Sequence, residues 1–277
     1  MRVLLLTNGQ ANQKALASRI QKVATLSGII VSNNIPKRRP AFWKTLRLRA
    51  NALASRSVGR PLLNAWLGML DYYQSAYPDF PIGPIQVSNV NDDATMNAID
   101  CEKPDLVVVS GTNLVGKRVI EASMRSGRII NLHTGISPYV RGGPNCTNWC
   151  LSKGWFDLIG NTIMWLDLGI DTGNIIATEQ TPLDGSETLE LLHTKVMDHA
   201  HSLYVRVIER IGEGSPVRSV RQSNIGVGTH FNSVDWSLPD IRRAVNNFQS
   251  DYSKFFNDQT NKLNHEIRYT LVPLEHA

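Results

Sequence analysis

The chain has 277 residues, 42% of them hydrophobic and 19% charged, with a net charge of +5; that is the composition of a globular domain able to bury a full core. No apolar run approaches the ~20 residues that span a bilayer, and an odd count of three cysteines argues against a disulfide framework and for a reducing, cytoplasmic setting. The charge is uneven: residues 1–70 carry twelve Lys or Arg and no acid before Asp71, so the amino-terminal part is suited either to an anionic partner or to a solvated basic face.

Val3 to Thr7 reads as a buried first strand rather than a signal peptide. Asn12 to Thr25 has helical apolar spacing at Ala15, Leu16, Ile20 and Val23. The loop between them, Asn8-Gly9-Gln10-Ala11-Asn12, places helix N–H groups where a phosphate could bind, although plain βα turns look the same. With no G-x-G-x-x-G run, a dinucleotide cofactor is not expected. Leu26 to Ser32 is a second strand. Asn33 to about Tyr77 is a basic insert, read as two helices broken near Gly59-Arg60-Pro61. It is either a helical cap on the sheet edge or a basic helix for a membrane surface or partner.

Ile85 to Asn89 is a strand, a helix starts at Asn91-Asp92-Asp93, and Asp105 to Ser110 is a fully buried strand of the parallel kind. A turn, Gly111 to Leu114, and a helix, Gly116 to Ser126, lead to the strand Arg128 to His133. Strand alternation puts Asn131 and His133 on one face at its carboxyl end, where ligands meet open α/β sheets. A Gly/Pro/Ser-rich loop follows, then an apolar run from Thr162 and the turn Gly169-Ile170-Asp171-Thr172-Gly173. Asp184-Gly185-Ser186-Glu187 reads as a capping box for a long amphipathic helix to about Ile211, buried along Leu189, Leu192, Val196, His199 or Ala200, Tyr204 and Ile208. His199 with His201, and Cys146 with Cys150, lack a completing set of ligands, so no metal is expected. Beyond Gly212 to Pro216 lies a short tail with Thr229-His230-Phe231 and a helix near Leu238 to Asn247.

Asn131-Leu132-His133, the Ile136-Ser137-Pro138 turn, Arg141-Gly142 and Leu168-Gly169-Ile170-Asp171-Thr172-Gly173 resemble the signature of the folate-dependent formyltransferases. That family includes the glycinamide ribonucleotide, methionyl-tRNA and amino-sugar N-formyltransferases. The resemblance covers residues 1–212 and implies an α/β, Rossmann-like, mostly parallel sheet flanked by helices; the basic insert about 33–77 is not part of the family's shared core, and 213–277 reads as a small carboxyl-terminal extension. It implies 10-formyltetrahydrofolate as donor, held near Leu114, Ile136, Leu168, Gly169 and Ile170, and an acceptor near Asn8, Gly9, Asn12 and Arg141. Gln10 and Ala11 depart from the Gly-Ser-Asn loop of the glycinamide ribonucleotide relatives.

Formyl transfer needs a donor to the formyl oxygen, which Asn131 supplies, and His133 can donate to the same oxygen or relay a proton. Asp171 can hold the imidazolium and take the amine proton, directly or through water. The acceptor expected is a small anionic amine, first a nucleotide-linked amino sugar and second glycinamide ribonucleotide. A hydrolase releasing formate would use the same three residues. The tail is shorter than the barrel expected of tRNA-directed relatives, so nucleic acid is not the expected partner; a non-enzymatic RNA- or membrane-binding module is the alternative outside catalysis. Peripheral membrane contact through the insert and an oligomer stay open.

Overall fold

The computed structural model describes residues 1–35, 58–143, 145–167, 173–258 and 269–274. The amino-terminal half is built by alternating strands and helices: β1 (Arg2–Thr7), α1 (Ala11–Val23), β2 (Thr25–Ser32), α2 (Arg60–Ala76), β3 (Ile85–Val87), α3 (Asp93–Glu102), β4 (Leu106–Val109), α4 (Lys117–Ser126) and β5 (Arg128–His133). The rest comprises β6 (Val140–Gly142), α5 (Cys146–Lys153), β7 (Gly160–Trp165), β8 (Ile175–Gln180), α6 (Leu189–Gly212), β9 (Thr229–Phe231), α7 (Leu238–Asn247) and, after one π turn, α8 (Ser253–Asn257). One seven-stranded sheet has the order β3-β2-β1-β4-β5-β7-β8. β1 to β5 are mutually parallel, whereas β7 runs antiparallel to both β5 and β8, so that β8 again points the way of β1 to β5. This is the mostly parallel α/β sheet expected.

Period-two burial makes the sheet the middle of three layers. Val3, Leu5, Leu106, Val108 and Ile130 face α1 and α6. Leu4, Leu6, Val107, Val109 and Ile129 face α3 and α4. Every residue from Leu106 to Val109 is buried, which is why that strand reads as an unbroken aliphatic run rather than an alternating one. A satellite core lies under α5 and the start of α6, and the tail fills it with Phe231, Ile241, Ala244 and Tyr252.

The helix near residue 60 starts at Arg60, with Pro61 in its first turn, but the first helix read in the insert falls on residues 36–57, outside the described residues. α2 buries Met69 and Tyr73 against α1 and α6 and Leu62 in the satellite core, while Leu63 and Leu67 stay exposed. Asp184 to Glu187 is not the cap of α6: Thr188 is, its hydroxyl accepting from Leu191 N at 3.1 Å. Asp184 closes its own turn on Ser186, and Glu187 accepts from the Asp184 and Gly185 amides, Lys195 and Tyr252. The tail joins the rest of the chain through β9, which pairs parallel with β6, with Arg141 opposite His230.

Candidate active site

The order of the strands reverses between β1 and β4, and in such sheets the loops beyond that point part to leave a crevice. A cavity of about 850 Å³ lies there, lined by the β1–α1 loop, Val109 to Val115, Asn131 to Thr134, Leu166 and Asp167. α2 and α6 add Trp66 and Met197, and the tail adds His230 to Val234. The volume and mixed lining are those of a small-molecule site.

Asn131 and His133 reach the cavity from the same face of β5, as alternation requires: Ile129, two residues before, is in the α3/α4 core, while Ile130 and Leu132 pack against α1 and α6. Asn131 is half-buried and His133 buried. His133 Nε2 lies 3.0 Å from the Val140 carbonyl. A carbonyl can only accept, so Nε2 carries the proton and Nδ1 is the basic nitrogen of the neutral ring. The turn that returns the chain past the ring contains a cis Ser137–Pro138 bond, and Thr162 ties it to β7 through Gly135 O and Ser137 N.

Tyr204 of α6, fully buried, puts its hydroxyl between β4 and β5: it accepts from Val109 N at 3.0 Å and donates to Ile130 O at 2.9 Å. A side chain thereby links the two strands next to Asn131. Burial pushes the Tyr204 hydroxyl well above its ordinary range, so it remains a proton donor. The sequence marks Tyr204 only as part of a helical stripe.

Leu114 is 64% exposed and lines the cavity. Its turn is braced by amides: Asn113 donates to Asn89 at 2.9 Å, Asn91 donates to Leu114 O at 2.8 Å, and the Asn113 amide N–H donates to Asn34 at 2.8 Å. Ile136, in contrast, is fully buried in the satellite core and off the cavity, because its turn folds inward beneath α5. Leu168, Gly169, Ile170 and Asp171 lie outside the described residues; the cavity lining extends to Leu166 and Asp167 just before them.

In the first turn of α1, Asn12 is 1% exposed, lines the cavity and leaves its Oδ1 without a partner. An orphaned buried amide oxygen of this kind calls for a ligand or solvent. The Asn8 side chain lines the cavity but is engaged in the turn, accepting from Gln10 N and donating to Gly111 O. Gly9 is exposed and off the lining. Arg141 sits on β6 beside cavity-lining Gly142; its side chain is off the lining, half-buried, with Nε lacking a hydrogen-bond partner. Among the described residues no three His, Cys, Asp or Glu side chains come together as metal ligands.

A family model described as formyl transferase matches residues 66–208. A methionyl-tRNA formyltransferase of Finegoldia magna is 33% identical over 129 residues, which is 46% of this chain and 40% of that protein. One from Syntrophus aciditrophicus is 27% identical over 150 residues, 54% and 47% respectively. The chain spans about half the length of the curated relatives it matches. In architecture it is similar to the phosphoribosylglycinamide formyltransferase of Anaplasma phagocytophilum, with a TM-score of 0.54 at 16% identity, covering 84% of this chain and 98% of that one. A 4-N formyltransferase from Francisella tularensis gives 0.53 at 18% identity, covering 88% and 87%.

Proposed function

Because this chain belongs to the formyl transferase family, we propose that it moves the formyl group of 10-formyltetrahydrofolate to the amine of a small anionic acceptor, first among them a nucleotide-linked amino sugar. The observation that carries the reading is the delivery of Asn131 and His133, from one face of β5, into a single cavity at the switch point of the sheet. The residues present suit a folate: an exposed apolar side chain, Leu114, stands in the cavity wall, and the walls otherwise alternate amide and apolar groups.

The candidate residues have distinct tasks in this reaction. Asn131 donates an N–H to the formyl oxygen as negative charge gathers there during attack, a role worth roughly 2.7–4 kcal/mol for one such donor. His133, with its proton fixed on Nε2, uses Nδ1 to take or relay the proton the amine must lose. Asp171, by its place in the signature, holds the imidazolium or takes that proton itself. Asn12, with its open Oδ1, can accept from a polar hydrogen of the acceptor. The twelve cations of the first 70 residues supply the field that favours an anionic acceptor.

The test follows tetrahydrofolate release from 10-formyltetrahydrofolate with nucleotide amino sugars, glycinamide ribonucleotide and charged initiator tRNA, plus a control without acceptor. Asn131→Ala is expected to lower kcat by about 10²–10³, and Asp171→Asn to abolish release. Release that needs one acceptor class identifies the substrate. Equal release without acceptor would make the enzyme a hydrolase, and no release or folate binding would overturn the catalytic reading.

A further inference from the structure

The first residue of α5 is a cysteine whose side chain lines the cavity beside the imidazole. Cys146 Sγ is 3.6 Å from His133 Nε2 and 3.4 Å from the Gly142 carbonyl, and the residue is 1% exposed. The carbonyl accepts the thiol proton, which turns the sulfur lone pairs toward the ring. His133 Nε2–H therefore meets two acceptors, Val140 O at 3.0 Å and Cys146 Sγ at 3.6 Å. The fit is close: a Cβ on Gly135 would stand 2.7 Å from His133 Nε2, 2.9 Å from Val140 O and 3.0 Å from Cys146 Cβ, so the chain can pass this edge of the ring only as glycine.

We propose that Cys146 is a positioning residue of the active site: its sulfur, with the Val140 carbonyl, holds His133 in the Nε2–H form and so commits Nδ1 to the proton traffic of the reaction. The second half of this statement rests on the formyl-transfer reading; the first does not. Two acceptors on one ring edge disfavour the tautomer that would bring a bare nitrogen there, and they stabilise the imidazolium as it forms. Packing alone does not account for the arrangement. Cys150, one turn along α5, is as deeply buried, yet its thiol points to Leu158 O at 3.5 Å. Cys150 therefore serves as the internal control.

The experiment labels histidine rings with ¹⁵N and follows His133, identified by its loss in His133→Gln, through a pH titration. Wild type, Cys146→Ala, Cys146→Ser and Cys150→Ala are compared, with kcat and acceptor KM measured alongside. Wild type is expected to show Nε2 protonated and Nδ1 titrating. Cys146→Ala, with the Val140 carbonyl still accepting from Nε2, should shift the tautomer balance only slightly away from Nε2–H, move the His133 titration to lower pH and lower kcat about fivefold, the equivalent of one weak hydrogen bond, with acceptor KM nearly unchanged. Serine, which can accept from Nε2 while donating to Gly142, should restore both readouts, and Cys150→Ala should move neither. Should Cys146→Ala fail to fold, Cys146→Val carries the same comparison by filling the space without an acceptor. An unchanged ring spectrum and titration in the variant lacking the acceptor overturns the proposal, as does an equal change in Cys150→Ala. Absence of formyl transfer in the wild type would overturn the functional reading and leave the ring measurement standing.

Discussion

At the scale of single residues, the site consists of polar groups whose positions are set by neighbours far along the chain. Asn131 and His133 were legible in the sequence because two-residue spacing on a strand is a local property. Their supports were not: Tyr204 stands on a helix more than seventy residues later, yet its hydroxyl joins Val109 and Ile130 beside Asn131. Tyr204→Phe would leave that amide and carbonyl buried without the bridge, at a cost of about 1–3 kcal/mol. The prediction is a lower urea midpoint together with a reduced kcat, since relaxing the strands shifts Asn131; an unchanged kcat in a folded variant would limit Tyr204 to a stabilising role. Ile136 teaches the reverse lesson. Its place in the signature put it near the donor, but the turn directs it into the satellite core.

Among the elements, the tail changes meaning most. From the sequence it was a short extension, because three-residue strands and isolated aromatics have no periodicity to read. In the fold β9 pairs with β6, and Phe231 stacks on Trp149 with ring centroids 4.4 Å apart. Phe231→Ala should cost about 3–5 kcal/mol and raise the acceptor KM, because the same segment forms a wall of the cavity. A stability loss without any change in KM would separate the tail from acceptor binding.

A second device joins β8 to α6. Glu179 accepts from His199 Nε2 at 3.1 Å and from Arg206, while His199 Nδ1 accepts from Asn161 at 3.0 Å. The hydrogen bond from His199, aided by Arg206, outweighs burial and holds the Glu179 carboxyl at about 2. Since the folded pKa is depressed, its stabilisation is complete above the unfolded value of about 4.3 and is lost as pH falls through about 2. Glu179→Gln is therefore expected to be less stable than wild type at neutral pH, with the two denaturation midpoints converging toward pH 2. Parallel midpoints across that range would contradict the assignment.

On the scale of the whole molecule, two separations matter: between the parallel and antiparallel parts of the sheet, and between the basic amino-terminal quarter and the acidic remainder. The first 70 residues carry twelve cations and no acid, so electrostatic attraction of an anionic acceptor should weaken with salt. Raising ionic strength is expected to increase acceptor KM with little change in kcat; a KM indifferent to salt would remove the amino-terminal charge from acceptor capture.

The sequence by itself determined the parallel strands and their helices, since aliphatic runs and helical periodicity are local consequences of burial. It also determined which face of β5 carries Asn131 and His133 and, through an ordered signature, the family. Only the tertiary structure decided that β7 runs antiparallel to both of its neighbours, that α2 and the tail complete the cavity, and that Tyr204 and Cys146 lie beside the two residues on β5. These features depend on contacts between segments distant in the chain, and side-chain spacing within one segment carries no record of which remote surface it will meet.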